Sequence, residues 1–334
     1  VEVSEKTRKR IRDRLLGILF SQTVDIIDRG IGAPQDVNFG CQVALGFRQG
    51  PLDLMRSMGA REVNRIMKKF QKERPGFPHA KKSFAGYQDF RRFILVDEIE
   101  GVKIITIRRP QAMNALNDEL ADEILAVLKQ YADDPSVKGF VITGYGNAAF
   151  SAGADIGKFP EMLGKAKASA QYARDCAKVQ VFMDGIRKPV VAALNGYAMG
   201  GGLEIAIRCH RMLATRNALL QFPEITLGIL PGIGGCVVPY RRWPEAAALF
   251  HDMICLARPL KAAEAAERGI VSRLADDYAD LIAKAMEEVH ALQGNLPRIE
   301  DGKMDLPLPA IPDAPTAAGQ PLSREAVAIT VKTI

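Results

Sequence analysis

The sequence predicts an α/β protein with a largely parallel sheet, preceded by an all-helical segment. From Phe93 onward, β-rich runs alternate with amphipathic helical patterns, and this alternation is typical of a parallel sheet with crossover helices. Before about residue 70, apolar residues recur at helical spacing. Between the two regions lies a stretch rich in Pro, Gly and Lys. We therefore expect a helical domain at 1–72, a linker at 73–92, an α/β domain at 93–292, and a Pro-rich connector at 293–334 ending in the start of a C-terminal helix.

The composition is that of an ordinary globular protein. The chain has 334 residues, of which 48% are hydrophobic and 25% charged. Its net charge of +6 suits anionic ligands such as phosphorylated cofactors or nucleic acid, or simply a solvated surface. The sequence has no apolar run long enough for a membrane span and no leader pattern, so a cytoplasmic protein is expected. The five cysteines form no C-x-x-C pair, which indicates a reducing compartment and no metal site.

One stretch, Lys188 to Gly235, combines the features of a reactive site. An apolar run is followed by a turn and then by Gly200, Gly201 and Gly202, which open a helical pattern. The first N–H groups of a helix have no partner within the helix, so they can stabilise a negative charge that develops on oxygen. Glu204 and Glu224 lie among apolar or small residues and could transfer protons. The stretch therefore predicts carbonyl activation with acid–base chemistry.

Two other patterns suggest binding sites but have simpler explanations. Gly144, Gly146 and Ala149 form a G-x-G-x-x-A motif directly after a predicted strand. A dinucleotide-binding fingerprint must open a helix at that point, and here a small-residue loop follows instead. The basic residues from Lys6 to Arg14 could form a nucleic-acid patch, but no aromatic residues lie among them, so a solvated helix face is favoured.

Four segments of the α/β region resemble, in order, the motifs of the crotonase (enoyl-CoA hydratase/isomerase) superfamily. They are RRPQAMNALN (108–117), AFSAGADI (149–156), NGYAMGGGLEIAIRCH (195–210) and QFPEITLGILPGIGG (221–235). The resemblance covers residues 93–292. It implies the α/β crotonase-like ββα superhelix (the ClpP/crotonase-like fold) after the all-α domain. It also implies an acyl-CoA substrate and no separate cofactor, because CoA enters as part of the substrate.

The resemblance implies a role for each matching residue. The backbone N–H groups of Ala154 and Gly201 would form an oxyanion hole for the thioester carbonyl. Glu204 would mainly activate water, and Glu224 would mainly exchange the proton at the α-carbon. Contacts to substrate or CoA are implied for Ala112, Met113, Ala152, Gly153, Asp155, Ile156, Gly200, Pro223 and Gly232. Where the family often has a lysine that holds the CoA nucleotide, this chain has Gly157, followed by Lys158.

Both glutamates together indicate an enoyl-CoA hydratase. Isomerases of the superfamily commonly retain only the second acid, so Glu204 is the discriminating residue. An isomerase or an acyl-CoA hydrolase on the same scaffold is the alternative. A non-catalytic, RNA-binding relative is a hypothesis of another class, supported only by the basic helix, so nucleic acid is an unlikely partner. The resemblance also implies a homotrimer or hexamer, if the C-terminal segment allows it.

The first seventy residues resemble the helical C-terminal domain of 3-hydroxyacyl-CoA dehydrogenases. The resemblance rests on RLLGILFSQTVDIIDRGI (14–31) and GFRQGPLDLMRSMG (46–59). In some fusion proteins this module precedes a hydratase module, and the order here agrees. The NAD-binding half has no counterpart in the sequence, so we expect that this chain alone does not oxidise 3-hydroxyacyl-CoA.

Overall fold

The chain folds into two compact units, Val1–Arg92 and Phe93–Ile334. The computed structural model describes residues 3–155, 157, 164–299, 302 and 306–334. Each unit has its own hydrophobic core.

The first unit is helical, as the sequence predicts. It contains α1 (Glu5–Asp28), α2 (Pro34–Leu45), α3 (Pro51–Glu73) and α4 (Phe84–Gln88). Its core is formed by buried apolar side chains from α1, α3 and α4, namely Phe20, Val24, Ile27, Leu52, Met55, Val63, Met67 and Tyr87. Within α3, Gly59 has non-helical angles (φ 79°, ψ 155°), so this helix consists of two pieces.

The segment expected to be a linker, 73–92, folds as part of this first unit. It contains α4, whose Tyr87 is buried in the core. The Tyr87 hydroxyl donates a hydrogen bond of 2.6 Å to Asp28. The Pro, Gly and Lys content correctly indicates turns and an exposed surface. It carries no information on the aromatic rings that anchor the segment: Tyr87 in the core, with Phe84 and Phe90 packed against it.

Asn38 caps the N-terminus of α3 from the neighbouring helix α2. Gly50, the residue before α3, has no side chain with which to cap it. Instead, Oδ1 of Asn38 accepts hydrogen bonds from the N–H groups of Leu52 (2.9 Å) and Asp53 (3.2 Å). Gly50 must be glycine, because a Cβ there would lie 2.1 Å from the same Oδ1.

Replacing Asn38 with Ala is expected to destabilise the first unit by about 1–3 kcal/mol, because it leaves buried N–H donors without an acceptor. The measurement is urea-induced unfolding followed by the helical circular dichroism signal. Gln42→Ala on the same helix is the matched control and should change the free energy of unfolding by less than about 0.5 kcal/mol. Equal effects of the two substitutions would contradict the capping role.

The second unit contains two sheets. The strands are β1 (Ile94–Ile99), β2 (Val102–Ile107), β3 (Gly139–Gly144), β4 (Ala149–Ser151), β5 (Val190–Leu194), β6 (Tyr197–Met199), β7 (Arg211–Thr215), β8 (Leu219–Gln221), β9 (Leu260–Lys261), β10 (Arg273–Ala275), β11 (Thr316–Ala317) and β12 (Gln320–Pro321). The larger sheet has the order β1-β2-β3-β5-β7-β10 and the smaller one the order β4-β6-β8-β9, while β11 and β12 form a hairpin. In the larger sheet, only the β1–β2 pair is antiparallel.

The helices of this unit are α5 (Asp118–Tyr131), α6 (Ala166–Cys176), α7 (Lys178–Gly185), α8 (Gly201–Ala206), α9 (Val238–Arg242), α10 (Ala247–Cys255), α11 (Ala262–Glu267), α12 (Tyr278–Ala291) and α13 (Arg324–Thr333). Long strands of the first sheet are each followed by a short strand of the second: β3 by β4, β5 by β6 and β7 by β8. After β3 and β4, helices α6 and α7 complete one ββα repeat. After β5 and β6, helix α8 completes the next. This is the predicted ββα superhelix.

The strands of the larger sheet are apolar at consecutive positions because both faces of the sheet are buried. Along β3, Phe140 and Ile142 enter the main core, while Val141 enters a second core on the opposite face. Helix α12 covers that opposite face with Leu281 and Val289. A tight turn at Glu100-Gly101 joins β1 to β2 as a hairpin, with both residues at positive φ.

One local prediction in this unit was wrong. The sequence pattern predicts one helix from Ala246 to Gly269, but the chain leaves the helix after Cys255, forms β9 and resumes as α11. Pro259 explains the break, because the residue before a proline avoids the helical region. The dinucleotide motif at Gly144 leads into β4, so it does not open a helix.

The C-terminal residues 293–334, expected to be an extended connector, pack on the second unit. Among the described residues, Leu306 and Leu308 contact the main core. Ala317 and Val327 form a small cluster with Ile225 and Ala257. The prolines correctly predict little regular structure, but Leu306, Leu308 and Ile311 between them are half-buried.

Candidate active site

A cavity of about 670 Å³ opens in the second unit where the predicted motifs meet. Most predicted site residues line it: Ala112, Ala152, Gly153, Ala154, Asp155, Gly200, Gly201, Glu204, Pro223, Glu224 and Gly232. Met113 does not line the cavity. It has a left-handed backbone (φ 48°) and its carbonyl accepts a hydrogen bond of 3.0 Å from the N–H of Ala152. Ile156 and Lys158 lie outside the described residues.

Two backbone N–H groups from separate segments lie close together at one end of the cavity. Gly201 begins α8, and a Cβ built on it would lie 3.5 Å from the N atom of Ala154. The segment carrying Ala154 is fixed on the other side by the hydrogen bonds Leu116 N–H to Gly153 O (2.8 Å) and Asp155 N–H to Leu116 O (2.7 Å). Within the described part of the chain, neither the Ala154 nor the Gly201 N–H has an acceptor. Both are available to a ligand oxygen.

Two buried asparagines, which the sequence analysis missed, hold the loop that leads to Ala154. Asn114 Nδ2 donates to the carbonyl of Ala149 (2.7 Å), and its Oδ1 accepts from Arg109 N–H (3.0 Å). Asn195 Nδ2 donates to the same Ala149 carbonyl at 3.3 Å. Asn114 has φ 58°, a conformation that asparagine tolerates better than most residues. Because these partners are distant in sequence, local pattern could not reveal them.

Glu204 is buried and held in one orientation by backbone donors. Its side chain is on α8, and the residue is 2% exposed. Oε1 accepts hydrogen bonds from the N–H groups of Ile233 and Gly235, both at 2.8 Å. Burial raises the pKa of Glu204 to about 7, although these hydrogen bonds and the charge of Arg208 oppose that shift. At neutral pH the group can therefore both accept and release a proton.

Glu224 lies against Gly200, at the start of a short 3₁₀ helix (Glu224–Leu227). A Cβ on Gly200 would lie 2.8 Å from Oε1 of Glu224, so glycine is required for this approach. Oε2 of Glu224 is buried and has no hydrogen-bond partner among the described residues. Burial, and secondarily the charge of Glu204, raise the pKa of Glu224 to about 8. An unpartnered carboxyl oxygen in a cavity is suited to bind water or substrate.

The raised pKa values predict how stability depends on pH. In the unfolded chain both carboxyl groups titrate near 4.5, but in the folded chain near 7 and 8. Between these values the folded chain therefore binds more protons than the unfolded chain. The stabilisation that the two acids contribute to folding is complete below pH 4.5 and is lost as pH rises through about 7 and 8. Urea unfolding of the wild type and of Glu204→Gln/Glu224→Gln at about pH 5 and about pH 9 measures it. The wild type should lose more stability than the variant on going to high pH, and parallel losses would contradict the assignment.

The polar wall of the cavity contains groups that the sequence did not identify. Tyr172 and Cys176 lie one turn apart on α6, and the tyrosine hydroxyl hydrogen-bonds the cysteine sulfur. Burial raises the pKa of both groups. Asp155 also lines the cavity, but its carboxylate forms an ion pair with Arg109 at 3.0 Å. Apolar residues complete the wall: Leu227, Ile229, Leu230 and Ile233.

Two absences among the described residues bear on the class of site. They contain no cluster of three or more His, Cys, Asp or Glu side chains arranged to hold a metal ion. None of the helices in that part of the chain has the length and hydrophobicity that crossing a bilayer requires.

A ββα superhelix with two facing N–H groups and two acids at one cavity defines the crotonase class of proteins. Comparison with known families agrees, since residues 97–299 match the enoyl-CoA hydratase/isomerase family. The chain belongs to the enoyl-CoA hydratase/isomerase family. Residues 11–89 match the C-terminal domain of 3-hydroxyacyl-CoA dehydrogenase, which confirms the predicted fusion arrangement.

Named relatives and solved structures give the same result. A probable enoyl-CoA hydratase of Mycobacterium leprae is 41% identical over 186 residues, which is 55% of this chain and 70% of the relative. The crotonyl-CoA hydratase of Syntrophomonas wolfei is 37% identical over 187 residues, covering 54% of this chain and 68% of the relative. The crystal structure of an enoyl-CoA hydratase from Bacillus anthracis superposes with a TM-score of 0.55 at 29% identity, covering 61% of this chain and 78% of that one.

Proposed function

We propose that this protein is an enoyl-CoA hydratase, which reversibly adds water in syn geometry to a trans-2-enoyl-CoA and forms a 3-hydroxyacyl-CoA. The reaction would belong to the degradation of fatty acids or related acyl-CoA compounds. Family membership supports the proposal, as do the names of relatives at 33–41% identity. The observation that carries it is the pair of glutamates at one cavity. Glu204 is buried, and Glu224 has a buried oxygen with no partner among the described residues.

The facing N–H groups of Ala154 and Gly201 would bind the thioester oxygen. When water attacks the β-carbon, negative charge moves through the conjugated system onto this oxygen. Two donors already aimed at it stabilise that charge without reorganising, and loss of one such donor typically costs about 10²–10³-fold in rate. Gly153, with φ 97° and the Met199 carbonyl 2.9 Å from where a Cβ would be, lets the two segments approach.

The two glutamates would handle the protons. We assign activation of water mainly to Glu204, because the Ile233 and Gly235 N–H groups fix its orientation. Glu224 would mainly deliver the proton to the α-carbon, since burial favours its protonated form. A water hydrogen-bonded to Glu224 Oε2 would supply that oxygen's missing partner. Gly232 lines the same cavity, and its backbone would help to place the water. No cofactor besides the CoA of the substrate is required by this mechanism.

The assembly and location of the protein follow as further proposals. The family resemblance supports a homotrimer or hexamer, which sedimentation velocity would measure. All five cysteines are free thiols, which supports a reducing compartment such as the cytoplasm.

The direct test is loss of the conjugated-enoyl absorbance of crotonyl-CoA on addition of the protein. We expect a decrease in absorbance, with 3-hydroxybutyryl-CoA as the product in mass spectrometry. Folded protein that leaves crotonyl-CoA unchanged but converts a 3-enoyl-CoA, or hydrolyses a thioester, would replace the hydratase with another reaction of the family.

A further inference from the structure

An arginine contacts the backbone segment that holds Glu204. Arg208 lies just past the end of α8 (Gly201–Ala206), about one helical turn after Glu204. The segment Ile233–Gly235 donates two N–H groups to Oε1 of Glu204. The guanidinium group of Arg208 lies against the middle of this segment, since a Cβ on Gly234 would be 3.1 Å from Nη2 and 3.3 Å from Nε. Neighbouring residues of one short segment therefore contact the acid and the guanidinium group.

An ion pair holds the guanidinium group in this position. Nη1 of Arg208 donates to the carboxylate of Asp184, near the end of α7. The arginine side chain is only 18% exposed, whereas that of the aspartate is 42% exposed. The more deeply buried partner is therefore the cation. The guanidinium fork is planar and rigid, so pairing at Nη1 also fixes the direction of Nη2 and Nε, the atoms beside Gly234.

Arg208 supplies a permanent positive charge near Glu204. The titratable groups Glu224, Cys176 on α6 and Cys236 also interact electrostatically with this acid. Burial raises the pKa of both thiols and raises that of Glu224 to about 8, so all three are largely uncharged at neutral pH. Burial also raises the pKa of Glu204, and the charge of Arg208 opposes that shift.

We propose that Arg208 is a positioning residue for Glu204, which keeps the segment Ile233–Gly235 in place and provides the positive charge that this acid faces. The inference rests on the proposed function, because Glu204 is the group to which activation of water is assigned. A general base must be ionised to take a proton from water. A nearby cation favours the ionised carboxylate, whereas burial favours the neutral acid. The arginine therefore raises the fraction of Glu204 that can accept a proton at neutral pH.

Titration of the side-chain carboxyl groups by ¹³C NMR tests the proposal without any substrate. The Glu204 signal is the one that disappears in Glu204→Gln. Arg208→Met removes the charge but retains a long, unbranched side chain, and it should raise the pKa of Glu204 by at least about 1, as expected for loss of a nearby opposite charge. Arg208→Lys retains the charge and should keep this pKa within about 0.5 of the wild-type value. An unchanged titration of Glu204 in Arg208→Met would overturn the proposal.

The pH dependence of kcat/KM for hydration of crotonyl-CoA gives a second readout. In Arg208→Met the acidic limb of the profile should move to higher pH by about 1 unit, because this limb reports ionisation of the base in the free enzyme. A purely structural role would lower the rate by the same factor at every pH, and parallel profiles would therefore contradict the proposal. Wild-type protein that does not hydrate crotonyl-CoA would overturn the proposed function, while the NMR titration still decides the role of Arg208.

A matched variant controls for the loss of one positive charge. Arg273→Gln removes a cation elsewhere on the same unit, where it pairs with Glu287, and it should change neither the pKa of Glu204 nor the kinetic profile. Thermal unfolding verifies that each variant folds. If Arg208→Met does not fold, Arg208→Gln is measured in its place with the same expectation. Equal shifts in the Arg208 and Arg273 variants would mean a general effect of net charge and would refute a specific role for Arg208.

Discussion

Replacement of Glu204 with Gln is expected to lower kcat for the hydration of crotonyl-CoA by about 10²–10⁴-fold, the usual contribution of a general acid or base. Glutamine has the same shape, and its amide oxygen can still accept the hydrogen bonds from Ile233 and Gly235. It cannot take a proton from water. We therefore expect KM to change little, because the substitution removes an interaction that matters in the transition state.

The same variant separates the two enzyme hypotheses for this fold. If the protein were an isomerase that relies on Glu224, conversion of a 3-enoyl-CoA to the 2-enoyl-CoA would survive in Glu204→Gln. Glu287→Gln, an exposed acid of the same unit that pairs with Arg273, is the matched control and should retain full hydration. Hydration by Glu204→Gln within a few-fold of the wild type would show that Glu204 is not the base.

Replacement of Gly200 with Ala is expected to have the second largest effect, about 10²-fold in kcat/KM. The new Cβ would lie 2.8 Å from Oε1 of Glu224, so the carboxylate must move. Displacement of a reacting group by about 1 Å can cost this much. The backbone of Gly200, at φ 48° and ψ −128°, also disfavours any residue with a side chain, which should lower stability by about 1–3 kcal/mol.

A control glycine distinguishes displacement of the Glu224 carboxylate from backbone strain. Gly269 also has positive φ (68°), but no atom lies within 4 Å of where its Cβ would be. Gly269→Ala should therefore lower stability moderately and leave kcat/KM near the wild-type value. Steady-state kinetics and thermal unfolding of both variants provide the measurements. Full activity in Gly200→Ala would mean that the Glu224 carboxylate is not held against this backbone during catalysis.

The sequence predicted the reactive part of the site because its requirements are local. Gly200 must be glycine because of its backbone geometry, and Gly202 because a Cβ there would lie 2.6 Å from the Cβ of Ser151. A helix start leaves N–H groups bare wherever it occurs. Glu204 and Glu224 are conspicuous as acids in apolar surroundings. Such features remain visible without knowledge of the fold.

The sequence did not predict the groups that depend on tertiary placement. Asn114 supports the loop that leads to Ala154 through residues more than thirty positions away. Nothing near it in sequence distinguishes it from an ordinary turn residue. Tyr172 enters the cavity because of where α6 packs. The helix Ala246–Gly269 was predicted in one piece because its apolar spacing is helical on both sides of Pro259. The proline breaks the helix, and the strand β9 that follows forms by pairing with β8, which local pattern does not show.

The cluster formed by Ile225, Ala257, Ala317 and Val327 has a consequence for how the catalytic unit is delimited. Ile225 is the neighbour of Glu224, so residues near the end of the chain form the support beneath one of the two acids. Similarity to the family ends at residue 299, yet the physical support of the acid extends to Val327. The family match therefore ends before the part of the structure that keeps Glu224 in place.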